Sequence, residues 1–312
     1  MKFVDAHIHL SDEEYSGSIK EIIAEAKDSN VAALVSNSMD LETSIRSLKL
    51  VEQYPGMVYA ALGIHPWNVD ALTEEELQQT IELVSEKRQN EALIAIGEIG
   101  LDYKYLKIWD KQLMVFNEML CLAEKLDLPV IIHSRGTTEQ IVEMLPSYNL
   151  KKVLLHWFSN PISVLSKVVE NGYYITEGPP TVYSNGIRKV VRRIPLTNLL
   201  TETDGPIRFF KQPFDGKKTT PAFIPTVVKA IAKTKKVEVA VVAEQIMKNF
   251  EEFFGVKLNN SDQLPTNFPL ISKSGDISRH ENSKYEISLF LQDCYGQGDL
   301  LIQMEDSSRR VV

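Results

Sequence analysis

Short apolar runs alternate with longer amphipathic segments through most of the chain. Short runs rich in Val, Ile and Leu predict strands, whereas apolar residues that recur every three or four positions predict helices. The predicted strands are residues 3–8, 31–35, 57–62, 92–96, 129–132, 152–155, 173–175 and 198–200. The predicted helices are residues 19–27, 41–53, 74–87, 111–126, 139–145, 161–170, 185–193, 223–234 and 239–253. Strict alternation predicts a parallel sheet, and eight repeats favour an α/β fold of the (β/α)8 TIM-barrel type over an open sheet.

The pattern changes near Gly255, where we expect the barrel to end. Asparagines, serines and prolines then predict an irregular linker. Alternating apolar positions over 285–291, two glycines and an apolar run over 300–304 predict a β-hairpin, with a partly ordered tail as the alternative. We therefore predict a barrel domain over residues 1–255 and a C-terminal extension over 256–312.

Composition narrows the class of protein. Hydrophobic residues make up 44% of the 312 residues and charged residues 24%, as in an ordinary folded chain. The net charge of −8 argues against a protein that coats nucleic acid through bulk positive charge. Two cysteines, Cys121 and Cys294, imply no disulfide framework, and no apolar stretch approaches the roughly 18 residues of a membrane span. We expect a cytoplasmic monomer without a membrane partner.

Most of the histidines lie at or just after the end of a predicted strand. These are His7, His9, His65, His133 and His156. The C-terminal ends of all strands in a parallel barrel open onto one face, so we expect these side chains to converge. His7 and His9 are two residues apart and therefore point to the same side of their strand, where two imidazoles can bind one cation. A lone His-x-His pair is more often incidental than a metal site.

Two carboxylates belong to the same predicted face. Glu98 ends the fourth predicted strand and Asp204 follows the eighth. Each alone is better explained as a solvated or helix-capping residue, but beside the histidines they can complete a site for two divalent cations about 3.5–4 Å apart. The ligand types suit Zn, Mn or Mg and do not distinguish among them. Such a site predicts hydrolysis, with Asp204 as candidate general base; the alternative is that Asp204 only binds metal.

Six short segments, in order along the chain, contain these histidines and carboxylates. They are DAHIHL at 5–10, GIHP at 63–66, GEIGLDY at 97–103, HSR at 133–135, HWFSN at 156–160 and ETDGP at 202–206. Together, over roughly residues 3–254, they resemble the TatD-family metal-dependent deoxyribonucleases of the amidohydrolase-like barrel superfamily. The loop after residue 206 departs from the family pattern: Lys217 to Pro221 keep only the basic character and the proline of its basic-Asn-Glu-Pro segment.

The resemblance implies two cation sites that share one carboxylate. The first cation would be bound by His7, His9, Glu98 and Asp204. The second would be bound by Glu98, His133 and His156.

The resemblance also implies a substrate phosphate near His65, for which a polar loop residue is the alternative. Tyr103, Ser134 and Arg135 lie beside ligand positions and are candidate phosphate donors. For Arg135 the alternative is a structural salt bridge, and for Ser134 it is a capping hydroxyl. Trp67 could stack on a base or pack on the barrel rim.

The predicted function is a metal-dependent hydrolase that cleaves phosphodiester bonds of DNA, with 3′–5′ exonuclease action on single strands as one form. Two alternatives stay open: hydrolysis of a C–N or ester bond in a small molecule, and a catalytically idle binding scaffold. Many amidohydrolases use a carboxylated lysine where this chain has Glu98, which disfavours the first alternative. A basic cluster over 188–193 is expected to be a solvated helix face, with a phosphate-backbone contact as the alternative.

Overall fold

A computed structural model describes residues 1–159 and 162–258 of the chain. Eight strands form one sheet in chain order, and each pairs in parallel with the next. They are β1 (Phe3–Ile8), β2 (Val31–Asn37), β3 (Val58–Leu62), β4 (Leu93–Asp102), β5 (Val130–Arg135), β6 (Val153–Leu155), β7 (Tyr174–Glu177) and β8 (Leu199–Thr201). The predicted TIM barrel is confirmed. The predicted hairpin lies outside the described residues.

The helices that cover the barrel alternate with these strands. They are α1 (Ile19–Asp28), α2 (Leu41–Gln53), α3 (Glu74–Lys87), α4 (Trp109–Leu126), α5 (Thr138–Met144), α6 (Ile162–Glu170), α7 (Asn185–Arg193), α8 (Ile224–Lys235) and α9 (Val239–Phe254). Capping boxes at Asp40 and Thr73 fix the starts of α2 and α3, because each N-cap side chain accepts from a backbone N–H in the first turn. Within the described ranges, no helix combines the length and apolar character needed to cross a bilayer.

The first and last strands meet through polar contacts. The Thr201 hydroxyl donates to the carbonyl of Val4 over 2.8 Å, and the backbone N–H of Asp204 donates to the carbonyl of His7 over 2.9 Å. The buried carboxylate of Asp5 accepts from both the backbone N–H and the hydroxyl of Thr203. Burial raises the pKa of Asp5 to about 8 despite these bonds. This seam brings Asp204 beside the histidines of β1.

Helix α9 closes the N-terminal end of the barrel with aromatic side chains. The ring of Phe250 lies 6.5 Å from that of Tyr59 near the start of β3, and Phe253 lies 5.1 Å from Tyr174 at the start of β7. The buried amide of Asn249 donates to two backbone carbonyls next to β8 over 2.7 and 2.8 Å. The predicted site residues lie at the opposite, C-terminal end of the barrel.

Strand β4 is longer than predicted, and Glu98 does not end it. The pairing with β5 continues past Glu98, through Gly100 opposite His133 to Asp102 opposite Arg135. Gly100 allows the close approach that continues this pairing, since a Cβ at this position would lie 2.0 Å from the His133 carbonyl oxygen. Glu98 therefore points into the barrel mouth from within a strand, which fixes its position.

Candidate metal centre

The first cluster of candidate ligands combines side chains at the C-terminal ends of β1 and β8 with Glu98 of β4, which lies across the barrel mouth. The Nε2 atoms of His7 and His9 are 3.4 Å apart. Glu98 Oε2 lies 3.3 Å from His7 Nε2 and 3.2 Å from His9 Nε2. Asp204 Oδ1 lies 3.4 and 3.6 Å from the same two nitrogens. Four side chains separated by up to 197 positions thus place one atom each around a common centre, as the sequence predicted.

These distances match those of a coordination shell. Ligands about 2.1 Å from a cation at tetrahedral angles stand about 3.4 Å from one another. Glu98 Oε2 is buried and makes no hydrogen bond, although the two histidine nitrogens are near, so the atoms face a shared centre rather than each other. The residues present therefore fit a divalent cation.

A second cluster surrounds the other oxygen of Glu98. Oε1 lies 3.0 Å from His133 Nδ1, 2.8 Å from His156 Nε2 and 3.2 Å from His65 Nε2. His133 Nδ1 is also 3.3 Å from the Nε2 atoms of both His156 and His65. The structure thus brings together the predicted second set and adds His65, which the sequence analysis had assigned to substrate phosphate. The position of His65 fits a metal ligand as well as a phosphate contact.

The electrostatics of the site concentrate negative charge on its carboxylates. Burial alone would raise the pKa of Glu98, but the surrounding histidines lower it well below its usual value. Burial disfavours the charged form of His9, but hydrogen bonds and charge from Asp204 and Glu98 raise its pKa to about 10. For His65 the effect of burial is the larger one and lowers the pKa to about 4. Glu98 raises the pKa of His156 well above normal against the effect of burial. The ionised carboxylates thus draw protons onto His9 and His156, and a cation would replace these protons because metals bind neutral imidazole.

Two acidic residues lie behind His133 and His156, on the side away from Glu98 Oε1. Asp102 Oδ2 accepts from His133 Nε2 over 3.1 Å and from Trp67 Nε1 over 2.6 Å. Glu202 Oε2 lies 3.5 Å from His156 Nδ1. Carboxylates behind metal-binding histidines fix the tautomer and the ring orientation. Neither residue was predicted from the sequence, although each lies within a motif at the end of a strand.

The predicted phosphate donors occupy different environments. Arg135 is exposed at the end of β5 and forms no ion pair with any residue of the described ranges, so no salt bridge explains it. The ring of Tyr103 is 48% exposed and stacks on Trp109 at 5.2 Å. Ser134 is buried, and its hydroxyl accepts from Thr138 over 2.9 Å, a contact at the start of α5. Arg135 and Tyr103 are therefore better placed to contact a substrate than Ser134.

Comparison with known proteins identifies the family. Residues 4–255 match the family profile described as TatD related DNase. The chain belongs to the TatD family. Among TatD relatives, the metal-dependent hydrolase YabD of Bacillus subtilis (strain 168) is 33% identical over 261 residues, which cover 81% of this chain and 98% of that protein. Deoxyribonuclease TATDN3 of Homo sapiens is 30% identical over 262 residues, which cover 80% and 94% of the two chains.

A solved TatD structure agrees with the fold. The crystal structure of YjjV, a TatD homologue from Escherichia coli K12, superposes with a TM-score of 0.76 at 28% identity and covers 82% of this chain and 98% of that one. The resemblance inferred from the six motifs is thereby confirmed. This TatD protein is a hydrolase, and its buried histidines and carboxylates form clusters able to bind metal.

Proposed function

We propose that this TatD protein is a metal-dependent deoxyribonuclease that hydrolyses phosphodiester bonds at the mouth of the barrel. One observation carries the proposal: Glu98 directs one oxygen into each of two adjacent clusters of nitrogen and oxygen atoms. A shared carboxylate is how proteins hold two divalent cations side by side. Relatives named deoxyribonuclease support DNA as the substrate.

The side chains of the two clusters would bind the metal ions and accept a proton. His7, His9, Glu98 and Asp204 would bind one cation, and the cluster of Glu98 Oε1 would bind the other. When bound, such a pair of Zn, Mn or Mg ions makes water a stronger nucleophile and offsets charge on a phosphoryl group. Asp204 is ionised, because His7 and His9 lower its pKa against the effect of burial, and it would accept the proton of the attacking water.

Residues around the mouth would bind the substrate. The exposed guanidinium of Arg135 can donate two hydrogen bonds to phosphate oxygens. Tyr103 and Trp67 offer exposed aromatic surface beside the clusters, and Trp67 lies 4.9 Å from the ring of His65. Bases of a single strand could stack on these rings. Hydrolysis of a small-molecule amide has less support, since Glu98 holds the bridging position that a carboxylated lysine often fills in amidohydrolases.

Metal-reconstituted protein and end-labelled single- and double-stranded oligonucleotides test the proposal. We expect a product ladder that disappears with a chelator, and a loss of about a hundredfold to ten-thousandfold in turnover for Asp204→Asn. Asp215→Asn is the matched control, because Asp215 is exposed in the same loop. Metal affinity measured on the Asp204→Asn protein separates the two roles: retained metal supports a base, and a proportional loss of metal supports a ligand only. Wild-type protein that loads metal but cleaves no oligonucleotide would refute the nuclease.

A further inference from the structure

Two neighbouring helices of the barrel wall have an unusual charge. Helix α7 contains four basic residues, Arg188, Lys189, Arg192 and Arg193, and no acidic residue. Helix α8 contains three lysines, Lys229, Lys233 and Lys235, and again no acidic residue. The whole chain has the opposite balance, with 34 basic and 42 acidic residues. The positive charge is therefore local to these two helices.

The two helices pack side by side and present most of this charge to solvent. Lys235 Nζ donates to the carbonyl of Ile194 over 2.5 Å and ties the end of α8 to the end of α7. Arg188 also has partners, donating to the carbonyl of Val182 over 2.9 Å. The five remaining cations are exposed and form what we call the basic wall: Lys189, Arg192, Arg193, Lys229 and Lys233.

The basic wall has no ion-pair partner among the described residues. None of its five side chains comes within 4 Å of a carboxylate in residues 1–159 and 162–258. The nearby carboxylate of Glu170 lines the same shallow groove as Arg193 but does not come within 4 Å of it. The positive field of the wall is therefore available to an external anion.

Helix stability does not explain this arrangement. Basic residues in the last turn, such as Arg193 and Lys233, interact favourably with the helix dipole. Lys189 and Lys229 lie before the last turn of their helices and gain nothing from it. Moreover, Lys189 with Arg193 and Lys229 with Lys233 form like-charged pairs four residues apart, which destabilise a helix. A surface that opposes local stability in this way is typical of a binding site.

The basic wall continues from the mouth of the barrel. Helix α7 begins at Asn185, directly after the segment that leaves the C-terminal end of β7. Tyr183 in that segment lies below Lys211 Nζ at 5.3 Å, and Lys211 belongs to the loop that follows Asp204. A chain bound at the metal clusters can therefore pass Lys211 and reach the start of α7, and the basic wall extends from there along the helix.

We propose that the basic wall binds the phosphodiester backbone of the nucleic-acid strand that is cleaved at the metal clusters, an inference that rests on the proposed function. Helix α8 is about 18 Å long at about 1.5 Å per residue. That length is enough to contact several consecutive phosphates of one strand. None of the large apolar side chains exposed in the described ranges lies on α7 or α8, which disfavours a membrane surface as the ligand.

A triple variant tests the basic wall. The wall variant combines Lys189→Gln, Arg193→Gln and Lys229→Gln. The control variant combines Lys27→Gln on α1, Lys49→Gln on α2 and Lys87→Gln on α3, and it changes the net charge by the same amount. KM for a single-stranded 30-mer is measured from about 50 to 200 mM salt, alongside turnover of bis(p-nitrophenyl) phosphate, a diester too small to reach the wall. We expect the wall variant to raise KM at least about tenfold at low salt and to reduce the salt slope by about 2, that is, about 0.7 per lost contact. The control should behave as the wild type, and all three proteins should hydrolyse the small diester equally.

Three results bear on the proposal in different ways. Equal salt slopes for the wall and control variants would overturn it. If the wild type hydrolyses the small diester but no oligonucleotide, the nuclease proposal fails separately. Fluorescence anisotropy of the same 30-mer on metal-loaded protein then tests whether the basic wall binds nucleic acid. Lost binding in the wall variant supports the proposed role of the wall, and unchanged binding refutes it. Wall-dependent binding to vesicles of phosphatidylserine and phosphatidylcholine, with oligonucleotide binding unaffected, would replace nucleic acid by a membrane and also refute the proposal.

Discussion

The substitution Asp102→Asn tests whether the carboxylate behind His133 supports the second metal cluster. Asp102 Oδ2 accepts from His133 Nε2 and Trp67 Nε1, and its Oδ1 accepts from the backbone N–H of Lys104 over 2.8 Å. An asparagine has one carbonyl oxygen, and its NH2 group cannot accept. Whichever way the amide is oriented, a donor therefore faces a donor.

The less costly orientation keeps the oxygen toward His133 and Trp67. Those two bonds then lose the contribution of a charged acceptor, about 1–1.5 kcal/mol each, and the bond from Lys104 is lost as well. The share that falls on His133 is about 1–1.5 kcal/mol, which corresponds to about tenfold weaker binding of metal at the second cluster. This value agrees with the about 10- to 100-fold effects known for such outer partners of metal ligands.

Metal affinity of this variant can be measured by competition with a chromophoric chelator, and kcat/KM with bis(p-nitrophenyl) phosphate. Asp110→Asn is the matched control, because Asp110 is exposed at the start of α4. We expect both quantities to fall in Asp102→Asn and to stay at wild-type values in the control. Wild-type metal affinity in Asp102→Asn would refute the reasoning, since it would mean that packing alone orients His133.

Three further substitutions test other parts of the structure. Glu98→Gln removes the charge shared by both clusters, and we expect elemental analysis to show fewer bound metal ions. We also expect turnover to fall at least about a hundredfold, because several kcal/mol of transition-state stabilisation depends on the metal centre. Asn249→Leu leaves two buried carbonyls without a donor, and we expect urea unfolding to show a loss of about 2–4 kcal/mol. Gly100→Ala places a methyl group 2.0 Å from the carbonyl oxygen of His133 at a φ of +149°, so we expect more than about 3 kcal/mol of destabilisation by the same assay.

Each of these has a control on the same chain. Glu244→Gln on exposed α9 surface should leave metal content unchanged. Asn171→Leu removes one amide hydrogen bond at an exposed site and should cost less than about 1 kcal/mol. Gly17→Ala meets no atom within 4 Å and should be tolerated. Comparable losses in a substitution and its control would contradict the structural explanation of that substitution.

Much of the fold follows from local rules that the sequence displays. The bounds of α2, α3 and α7 match the predicted helices. Their starts are fixed by N-cap side chains that the sequence makes recognisable, namely Asp40, Thr73 and Ser184. Strand order needs no long-range information, since strict alternation of strands and helices leaves few possible topologies. The convergence of His7, His9 and the other predicted ligands is a consequence of that topology.

The parts that could not be predicted depend on distances between strands. Asp102 and Glu202 could not be predicted because their roles depend on contacts between separate segments, which no spacing along the chain encodes. Asp102 faces His133 across the paired strands β4 and β5, and Glu202 after β8 lies near His156 after β6. Glu98 lies within β4 rather than at its end, because Gly97 and Gly100 permit the close contact with β5 that continues the strand. The domain boundary at residue 255 and the roles of the individual site residues remain predictions.

The aromatic floor of the barrel has a consequence for biosynthesis. Phe250 and Phe253 are among the last residues of the matched family segment to leave the ribosome, yet they cover Tyr59 and Tyr174, which emerge much earlier. Until α9 is translated, the nascent barrel has an open apolar base. The order of synthesis thus lets every residue of the candidate metal-binding mouth, from His7 to Asp204, emerge before the floor can close.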